Sequence, residues 1–346
     1  MKDIAFSIIC WYNNNKRNLK FRSFRDPYKI WLSEVMLQQT QVSTMLPYYS
    51  NWLKKYPNIN SVISTPYDDI LKNWEGLGYY NRCLNFYKAL NIVHNNYNGI
   101  VPKDYNDFIK LPGVGEYTAA AVLSISYNKK IVLIDGNVRR VFSRYLGIVR
   151  LTKYNISKMK NFLYRLLLTT NSGIFNQAIM EIGALVCTRY SPKCNSCPLK
   201  SNCKAYLRKS PYSYPEKKIM KKLKVKHFFA IILKSKGKFL IIKSKKKLYK
   251  GLWHLPMIET NDVETFKNKL KLLLNKSVLF SKKYPLVKSG ELIHNLTHFK
   301  LKISYYRLDC NYFSIDNEYI KWISKTETDR HSFPKLFFKS LKFICA

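Results

Sequence analysis

Four cysteines fall within seventeen residues, in the stretch CTRYSPKCNSCPLKSNC, and their spacing, C-x6-C-x2-C-x5-C at Cys187, Cys194, Cys197 and Cys203, restricts the backbone more than any other feature of the chain. A loop that brings four thiolates around one centre can do little else. The start of the sequence, MKDIAFSIICWYNNN, has an acid at position 3 and a broken apolar run, too short and badly flanked for a signal peptide or a membrane span. A cytoplasmic protein is therefore expected, in which thiols stay reduced and clustered cysteines signify metal rather than disulfides. An all-sulfur shell suits an iron-sulfur cluster or zinc. A structural zinc site usually has two short C-x2-C knuckles and here there is one, so the expectation is a single 4Fe-4S cluster. The other cysteines, Cys10, Cys83, Cys310 and Cys345, are scattered and read as small buried hydrophobes or tolerated surface thiols.

The cysteine loop also marks a change of pattern. Residues 1 to 206 carry helical periodicity, whereas RKSPYSYPEKKIMKKLKVK is rich in Lys, Pro and Ser and places a linker at 207 to 225. From 226 to 346 the chain turns to short β-like runs, HFFAIIL, KFLIIK and KISYYRL, with a helical VETFKNKLKLLL between them, the pattern of an α+β domain. Sixty basic against twenty-one acidic residues, a formal charge of +39, suit a polyanionic partner. Lysine outnumbers arginine 47 to 13 and Asn, Ile and Tyr are abundant, as an AT-rich genome writes at tolerant positions, which discounts that figure.

Within the helical part, SEVMLQQTQV sets one carboxylate, Glu34, among Ile30, Trp31, Leu32, Val35, Met36 and Leu37. Residues 34, 38 and 41 fall on one stripe of a helix, so Glu34, Gln38 and Gln41 are expected to share a face. Gly76 and Gly78 join two further helices through a left-handed turn. In YNDFIKLPGVGEYTAAAVLSISY, Leu111, Pro112, Gly113, Val114 and Gly115 link a short helix to a stronger one. Such a turn can gather backbone N–H groups around a phosphate, although an ordinary helix-helix turn would read the same. Asp135, at the end of the apolar run IVLI and just before a helix, fits an N-cap.

Taken in order, PYKIWLSEVMLQQTQV, GLGYYNRCLN, LPGVGEYTAAAVLS, IDGNVRRV, FNQAIMEIGA and the cysteine set resemble the helix-hairpin-helix DNA glycosylases that carry an iron-sulfur cluster, and among them the adenine-specific MutY family. The resemblance covers nearly the whole chain. It implies a mainly α catalytic domain, a six-helix barrel with a helix-hairpin-helix and a cluster loop, followed by an α+β Nudix-like domain that reads the lesion. Adenine leaves poorly unless protonated, and Glu34 takes the place of the family's acid; burial disfavours its ionised form and so keeps a proton for N7 of the base. Asp135 corresponds to the carboxylate that stays ionised, helped by helix N-terminal N–H groups, and stabilises the oxocarbenium-like sugar. Asn137 would orient Asp135, and Tyr117 would position the acid. Gln38 and Tyr79 would wedge into the base stack while adenine is flipped out, with Gln41 and the Leu111, Gly113, Val114, Gly115 turn on the DNA. Arg22 and Glu181 match the adenine pocket. Where many relatives have Leu-Pro-Trp-Arg, this chain has Leu19-Lys20-Phe21-Arg22, so stacking on adenine would fall to the smaller ring of Phe21.

In the second domain GLWHLPMIE resembles the start of a Nudix motif, without the Arg-Glu-x-x-x-Glu-Glu continuation that would bind magnesium. The family's Phe-Ser-His lesion-reading loop corresponds to Leu296-Thr297-His298. The partner implied is double-stranded DNA with adenine opposite 8-oxoguanine or guanine, met by a monomer at the bacterial nucleoid and away from membranes. Rival readings are an endonuclease III-like lyase and a catalytically silent DNA-binding protein. Lyases of that type carry a Lys just after the GVG turn that attacks the sugar, and here the position is Tyr117. The purified protein should therefore leave an abasic strand intact until alkali or heat is applied. Efficient nicking without either, followed on a denaturing gel, would return the chain to the lyases.

Overall fold

A computed structural model describes residues 2–216, 223–246, 248–273, 285–296, 299–309 and 318–345. They form two compact units, Met1–Ser64 with Asn85–Ile219, and Thr65–Leu84 with Met220–Ala346.

The first unit is helical. Its elements are α1 (Lys2–Asn15), α2 (Pro27–Leu37), α3 (Val42–Lys55), α4 (Ile59–Ile63), the greater part of α6 (Asn81–Asn96), α7 (Tyr105–Ile109), α8 (Glu116–Tyr127), α9 (Gly136–Leu146), α10 (Lys153–Leu168), α11 (Ser172–Leu185) and α12 (Lys204–Leu207). Helix α2 starts where Pro27 presets the first helical residue and the Asp26 carboxylate accepts the Tyr28 and Lys29 N–H groups. It stops after Leu37, because Gln38 turns extended and Gln39 adopts φ +58°. Gln41 is then the N-cap of α3, so Glu34, Gln38 and Gln41 do not share one helical stripe, contrary to the spacing argument.

Helix α8 lies at the centre. All eight residues from Thr118 to Ile125 are buried, so it is enclosed on every side, and α2 and α11 both pack on it. Small residues make this possible. At Gly173, on α11, a Cβ would stand 2.8 Å from the Ser124 carbonyl oxygen and 2.9 Å from the Ile125 Cα. Beside α2, Trp31 meets Phe86 and Phe108 edge-on at 5.1 and 5.0 Å, and the Trp52 indole donates to the Tyr28 hydroxyl at 2.9 Å.

The second unit is built on a mixed sheet, of seven strands among the described residues. Strand β1 (Lys224–Ser235) runs parallel to β6 (Phe299–Asp309), and β5 (Val287–Asn295) lies antiparallel beyond it. On the other side of β1 stand β2 (Lys238–Lys243) and β4 (Met257–Glu259), while β3 (Trp253–His254) and β7 (Ile320–Ile323) pair with β2. The β1–β2 hairpin turns through Lys236 and Gly237, both at positive φ, the two-residue geometry that matches strand twist. Ala230 and Ile232 face a cluster that holds Phe333, Leu336 and Phe337, while Phe229, Ile231 and Leu233 face Phe266 and Leu270 of α13 (Val263–Leu273). Burial on both faces explains why this strand reads as a continuous apolar run.

The unit also holds α5 (Tyr67–Asn73) and the turn after it. The Glu75 carboxylate accepts the Phe333 N–H at 2.6 Å and the Lys72 ammonium at 2.6 Å, Lys72 also donates to the His331 carbonyl, and Lys243 pairs with Asp68. Phe333 precedes the last helix, α14 (Lys335–Cys345), whose residues complete the first cluster. No helix among the described residues is long and apolar enough to cross a membrane.

Because Gly173 meets backbone that cannot rotate away, Gly173→Ala should lower stability by about 1–3 kcal/mol, the usual cost of overpacking. Denaturant unfolding checks this, and a change below about 0.5 kcal/mol, the range of ordinary surface substitutions, would contradict the packing described.

Candidate active site

Glu34 begins the last turn of α2 and has no accessible surface. Removing a carboxylate from water this completely costs several kcal/mol unless partners replace the water. Two do. The Tyr117 hydroxyl, from the first turn of α8, donates to Glu34 Oε2 at 2.6 Å. Arg22 Nη1 lies 2.9 Å from Oε1, an ion pair with a side chain only 16% exposed. The pair has the distance of a hydrogen bond without its alignment, and neither atom has another hydrogen-bond partner. Burial and the Glu34 charge push the Tyr117 phenol well above its ordinary value. Burial alone would lower the Arg22 guanidinium, but the charge of Glu34, with Tyr117, Tyr12 and Glu181 behind it, raises it instead.

Asp135 is the N-cap of α9, as its sequence context indicates, and accepts the Val138 N–H at 2.6 Å. Burial pushes its carboxyl above the usual value, opposed by the Val138 and Asn137 N–H groups and by Arg140, and reinforced by the charge of Glu34. Asn137 acts on Asp135 through its backbone, while its side chain accepts from Arg140 Nη2 at 2.9 Å. Arg140 continues to the carbonyl oxygens of Gly183 at 2.7 Å and Cys187 at 2.8 Å, which ties the Asp135 turn to the start of the cysteine loop.

One positioning residue escaped the sequence reading. Asn176, on α11, is fully buried and spends its amide on three bonds, to Ser124 Oγ and the Ile131 carbonyl at 2.9 Å each and from the Leu133 N–H at 3.2 Å. It therefore fixes the segment that delivers Asp135. The signal available was a polar residue inside the apolar helix FNQAIMEIGA.

Other expected site residues are placed differently from the reading above. Phe21 is a core residue against Tyr49, with Arg22 over its ring at 5.2 Å, so it offers adenine no free face. Glu181 is buried and held by Arg17 through Nε at 2.6 Å, Nη2 at 2.9 Å and the backbone N–H at 3.1 Å. Burial alone would raise its carboxyl, and the Arg17 contacts bring it below the usual value. Gln38 is half-buried and donates to Thr118 Oγ1 at 3.3 Å, which leaves Gln39 and Gln41 as the exposed amides of that turn. Leu111 and Val114 are buried, so the 111–115 turn does not present those two side chains, and there Gly113 (φ +78°) and Gly115 are exposed. In the second unit Tyr79 has φ +50°, a costly conformation for a ring-bearing residue, and is 43% exposed with Arg82 over its ring at 5.2 Å. Thr297 and His298 lie outside the described residues.

Cys187, Cys194, Cys197 and Cys203 line one small cavity together with Arg144, whose Nη1 lies 3.3 Å from the Cys187 sulfur. Among the described residues no three His, Cys, Asp or Glu side chains are grouped tightly enough to hold a single metal ion. Burial pushes the thiols of Cys194 and Cys203 up and that of Cys197 up to about 12. An open cavity lined by Asp135, Asn137, Arg140, Arg144, Arg150 and Arg189 adjoins this loop. The scattered Cys83 is buried and Cys10 exposed; Cys310 and the side chain of Cys345 lie outside the described residues.

Residues 32–161 match the family model of the HhH-GPD superfamily base excision DNA repair proteins, and residues 228–342 match a NUDIX domain. Over 86% of this chain and 84% of the relative, the sequence is 39% identical to the adenine DNA glycosylase of Buchnera aphidicola subsp. Schizaphis graminum. It is 38% identical, with the same shares covered, to that of Buchnera aphidicola subsp. Baizongia pistaciae. Among solved structures, a thermostable thymine-DNA glycosylase is 29% identical and superposes with a TM-score of 0.55 over 59% of this chain and 95% of the other. Both the helical fold around Glu34 and the sheet that follows it are accounted for by one family: the chain belongs to the adenine DNA glycosylases.

Proposed function

We propose that this enzyme is a monofunctional glycosylase that hydrolyses the N-glycosidic bond of adenine paired with 8-oxoguanine or guanine. The observation that carries the reading is the environment of Glu34, a carboxylate with no exposed surface bonded to a tyrosine where a lyase would place its lysine. Flipping is required because the bond cannot be reached inside a duplex. Gln39, exposed and held at positive φ, is suited to fill the space a flipped base leaves, taking the part first given to Gln38; Tyr79, in the second unit, is exposed at positive φ as well. Glu34 then delivers a proton to N7 and the C1′–N9 bond breaks as positive charge spreads over the sugar. Asp135 faces that charge as a carboxylate. Its upward shift is tolerable here, because a developing cation beside it restores the preference for the ionised form. The carboxylate left on Glu34 accepts a proton from the attacking water, and adenine departs neutral.

The cysteine loop fits an iron-sulfur group in donor chemistry: four cysteine side chains line one cavity, and the thiols of Cys194, Cys197 and Cys203, raised by burial, would give up their protons to bind iron. Cys187, Cys194, Cys197 and Cys203 would hold a 4Fe-4S cluster, and Arg144, already against the Cys187 sulfur, would donate to it. The cluster would supply a rigid core for the loop, leaving the exposed Arg189 beside it to meet phosphate. The second unit, which matches a NUDIX domain, would read the oxidised guanine.

Two measurements test this. Glu34→Gln should keep mismatch binding but slow adenine release, in single-turnover assays, by ~10²-fold or more, since general acid-base steps contribute typically 10²–10⁴-fold. Excision within threefold of wild type would remove Glu34 from its role. Protein purified without air should be brown and contain about four irons per chain, and Cys197→Ser should lose iron and folded yield together. Stoichiometric zinc without iron in fresh protein would overturn the cluster.

A further inference from the structure

The second unit contains Thr65–Leu84 as well as the sheet, so the turn that carries Tyr79 is built on chain that follows it by more than two hundred residues. Both flanks of that turn grip one residue. Before it, Glu75 Oε1 accepts the Phe333 N–H at 2.6 Å; after it, the Tyr80 hydroxyl donates to the Phe333 carbonyl at 3.3 Å and accepts the Gly76 N–H at 3.1 Å. The other Glu75 oxygen takes the Lys72 ammonium at 2.6 Å, and Lys72 donates in turn to the His331 carbonyl at 2.9 Å. Phe333 is a firm support, with no accessible surface and its ring stacked on Phe337 at 3.8 Å in the cluster against the sheet. Within the turn, Gly76 (φ +89°) and Gly78 (φ +79°) take left-handed angles freely, whereas Tyr79 (φ +50°) keeps its angle only where the surroundings impose it. The Gly78 carbonyl accepts from the Trp74 indole and from Arg82 Nη2, each at 3.1 Å, and the Arg82 guanidinium lies over the Tyr79 ring. The ring itself stays exposed.

Building on the proposed function, with Tyr79 as the ring that enters the base stack, we propose that Glu75 is a positioning residue: together with Tyr80 it fastens the Tyr79 turn to Phe333, so that the unit matching a NUDIX domain also holds the ring that parts the bases. The arrangement suits that work. Base pairs resist being parted and push back on the ring, and a turn that bends at Gly76 and Gly78 gives way under load unless it is fixed outside itself. A carboxylate is a strong fastener for an N–H group, because a charge-assisted hydrogen bond is roughly twice as strong as a neutral one. Lys72, bonded to both Glu75 and the His331 carbonyl, keeps that carboxylate aimed at the segment before α14. Removing the Glu75 side chain leaves the Phe333 N–H without this acceptor and frees one flank of the turn. Base flipping then depends on the sheet unit whichever base stands opposite the adenine.

The test uses the full-length protein and a duplex with 2′-fluoro-2′-deoxyadenosine opposite guanine, whose electron-withdrawing fluorine suppresses cleavage, and with 2-aminopurine as the neighbouring base, a probe that brightens when unstacked. Single-turnover adenine release from the unmodified A:G duplex is measured alongside. Glu75→Ala should lose most of the fluorescence rise and slow release about tenfold, the scale of one lost bond to a charged group. Glu75→Gln, whose amide oxygen can still accept the Phe333 N–H, should keep both within about threefold of wild type. Tyr80→Phe should move both in the same direction as Glu75→Ala by a smaller amount, and it decides the matter if Glu75→Ala folds poorly. In a Tyr79→Ala background Glu75→Ala should add less than about twofold, because residues that act through one ring are not independent, whereas a purely structural role would add its full effect again. Wild-type fluorescence and release in Glu75→Ala or in Tyr80→Phe, a Gln variant as impaired as the Ala variant, or additive losses in the double variant each overturns the proposal. Fluorescence and release that Tyr79→Ala leaves unchanged remove the ring from the stack, and the proposal with it. No adenine release by the wild-type protein defeats the proposed function instead.

Discussion

A carboxylate withdrawn from water is the constraint to which the first unit answers. Glu34 is tolerable at zero exposure only because a hydroxyl and a guanidinium, carried by separate segments, arrive within 3 Å of its two oxygens. Each arrival has a structural cause. Tyr117 is delivered by a turn in which Gly113, at φ +78°, comes so close to Asn85 that a Cβ would stand 2.8 Å from the Asn85 Cβ. Helix α8 is then pinned from behind by Gly173 and Asn176 of α11. Asn176 also clamps the segment leading to Asp135, so one buried amide ties that segment to helix α8, which carries Tyr117. Breaking such an arrangement on one side leaves an uncompensated charge, which is why site and core cannot be varied independently here.

Much of this was legible in the sequence where chemistry and local periodicity point the same way. The four cysteines could be paired with a cavity because their spacing is local, and Asp135 could be read as an N-cap because capping depends on the next three residues alone. The strands β1, β2 and β6 and the helix α13 follow directly from apolar runs and their breaks. Long-range polar contacts were not legible. Nothing local pairs Arg17 with Glu181, 164 residues away, or sets Arg22 on Glu34. The stripe of Glu34, Gln38 and Gln41 failed for a different reason. Helical spacing assumes that the helix continues, and a non-glycine residue at positive φ, Gln39, ends it without a Gly or Pro to announce the break. Phe21 was misjudged because an aromatic beside an active-site arginine reads the same whether it faces a ligand or the core.

The charge of +39 divides in the same way. Its lysines are mostly surface residues whose ion pairs, such as Lys226 with Glu259, are worth little in water. The arginines near the site are instead structural. Arg140 and Arg144 spend their donors on backbone carbonyl oxygens and on Asn137 or the Cys187 sulfur, and so join the Asp135 turn to the cysteine loop. Planar guanidinium groups can satisfy several fixed acceptors at once, which a lysine cannot. In a chain with 47 lysines and 13 arginines, arginine at these two positions marks where geometry, and not charge alone, is required.

In the proposed reaction Glu34 hands its proton to N7 of adenine. The most direct measurement replaces that atom: a duplex with 7-deazaadenine opposite guanine keeps the base's size and pairing edge while C–H takes the place of the N7 acceptor. Compared with adenine in single-turnover assays at saturating enzyme, it should bind comparably and be released at least ~10²-fold more slowly, the scale of a lost general-acid step. Release of both bases at the same rate would show that protonation at N7 does not drive the reaction, and would contradict the role assigned to Glu34.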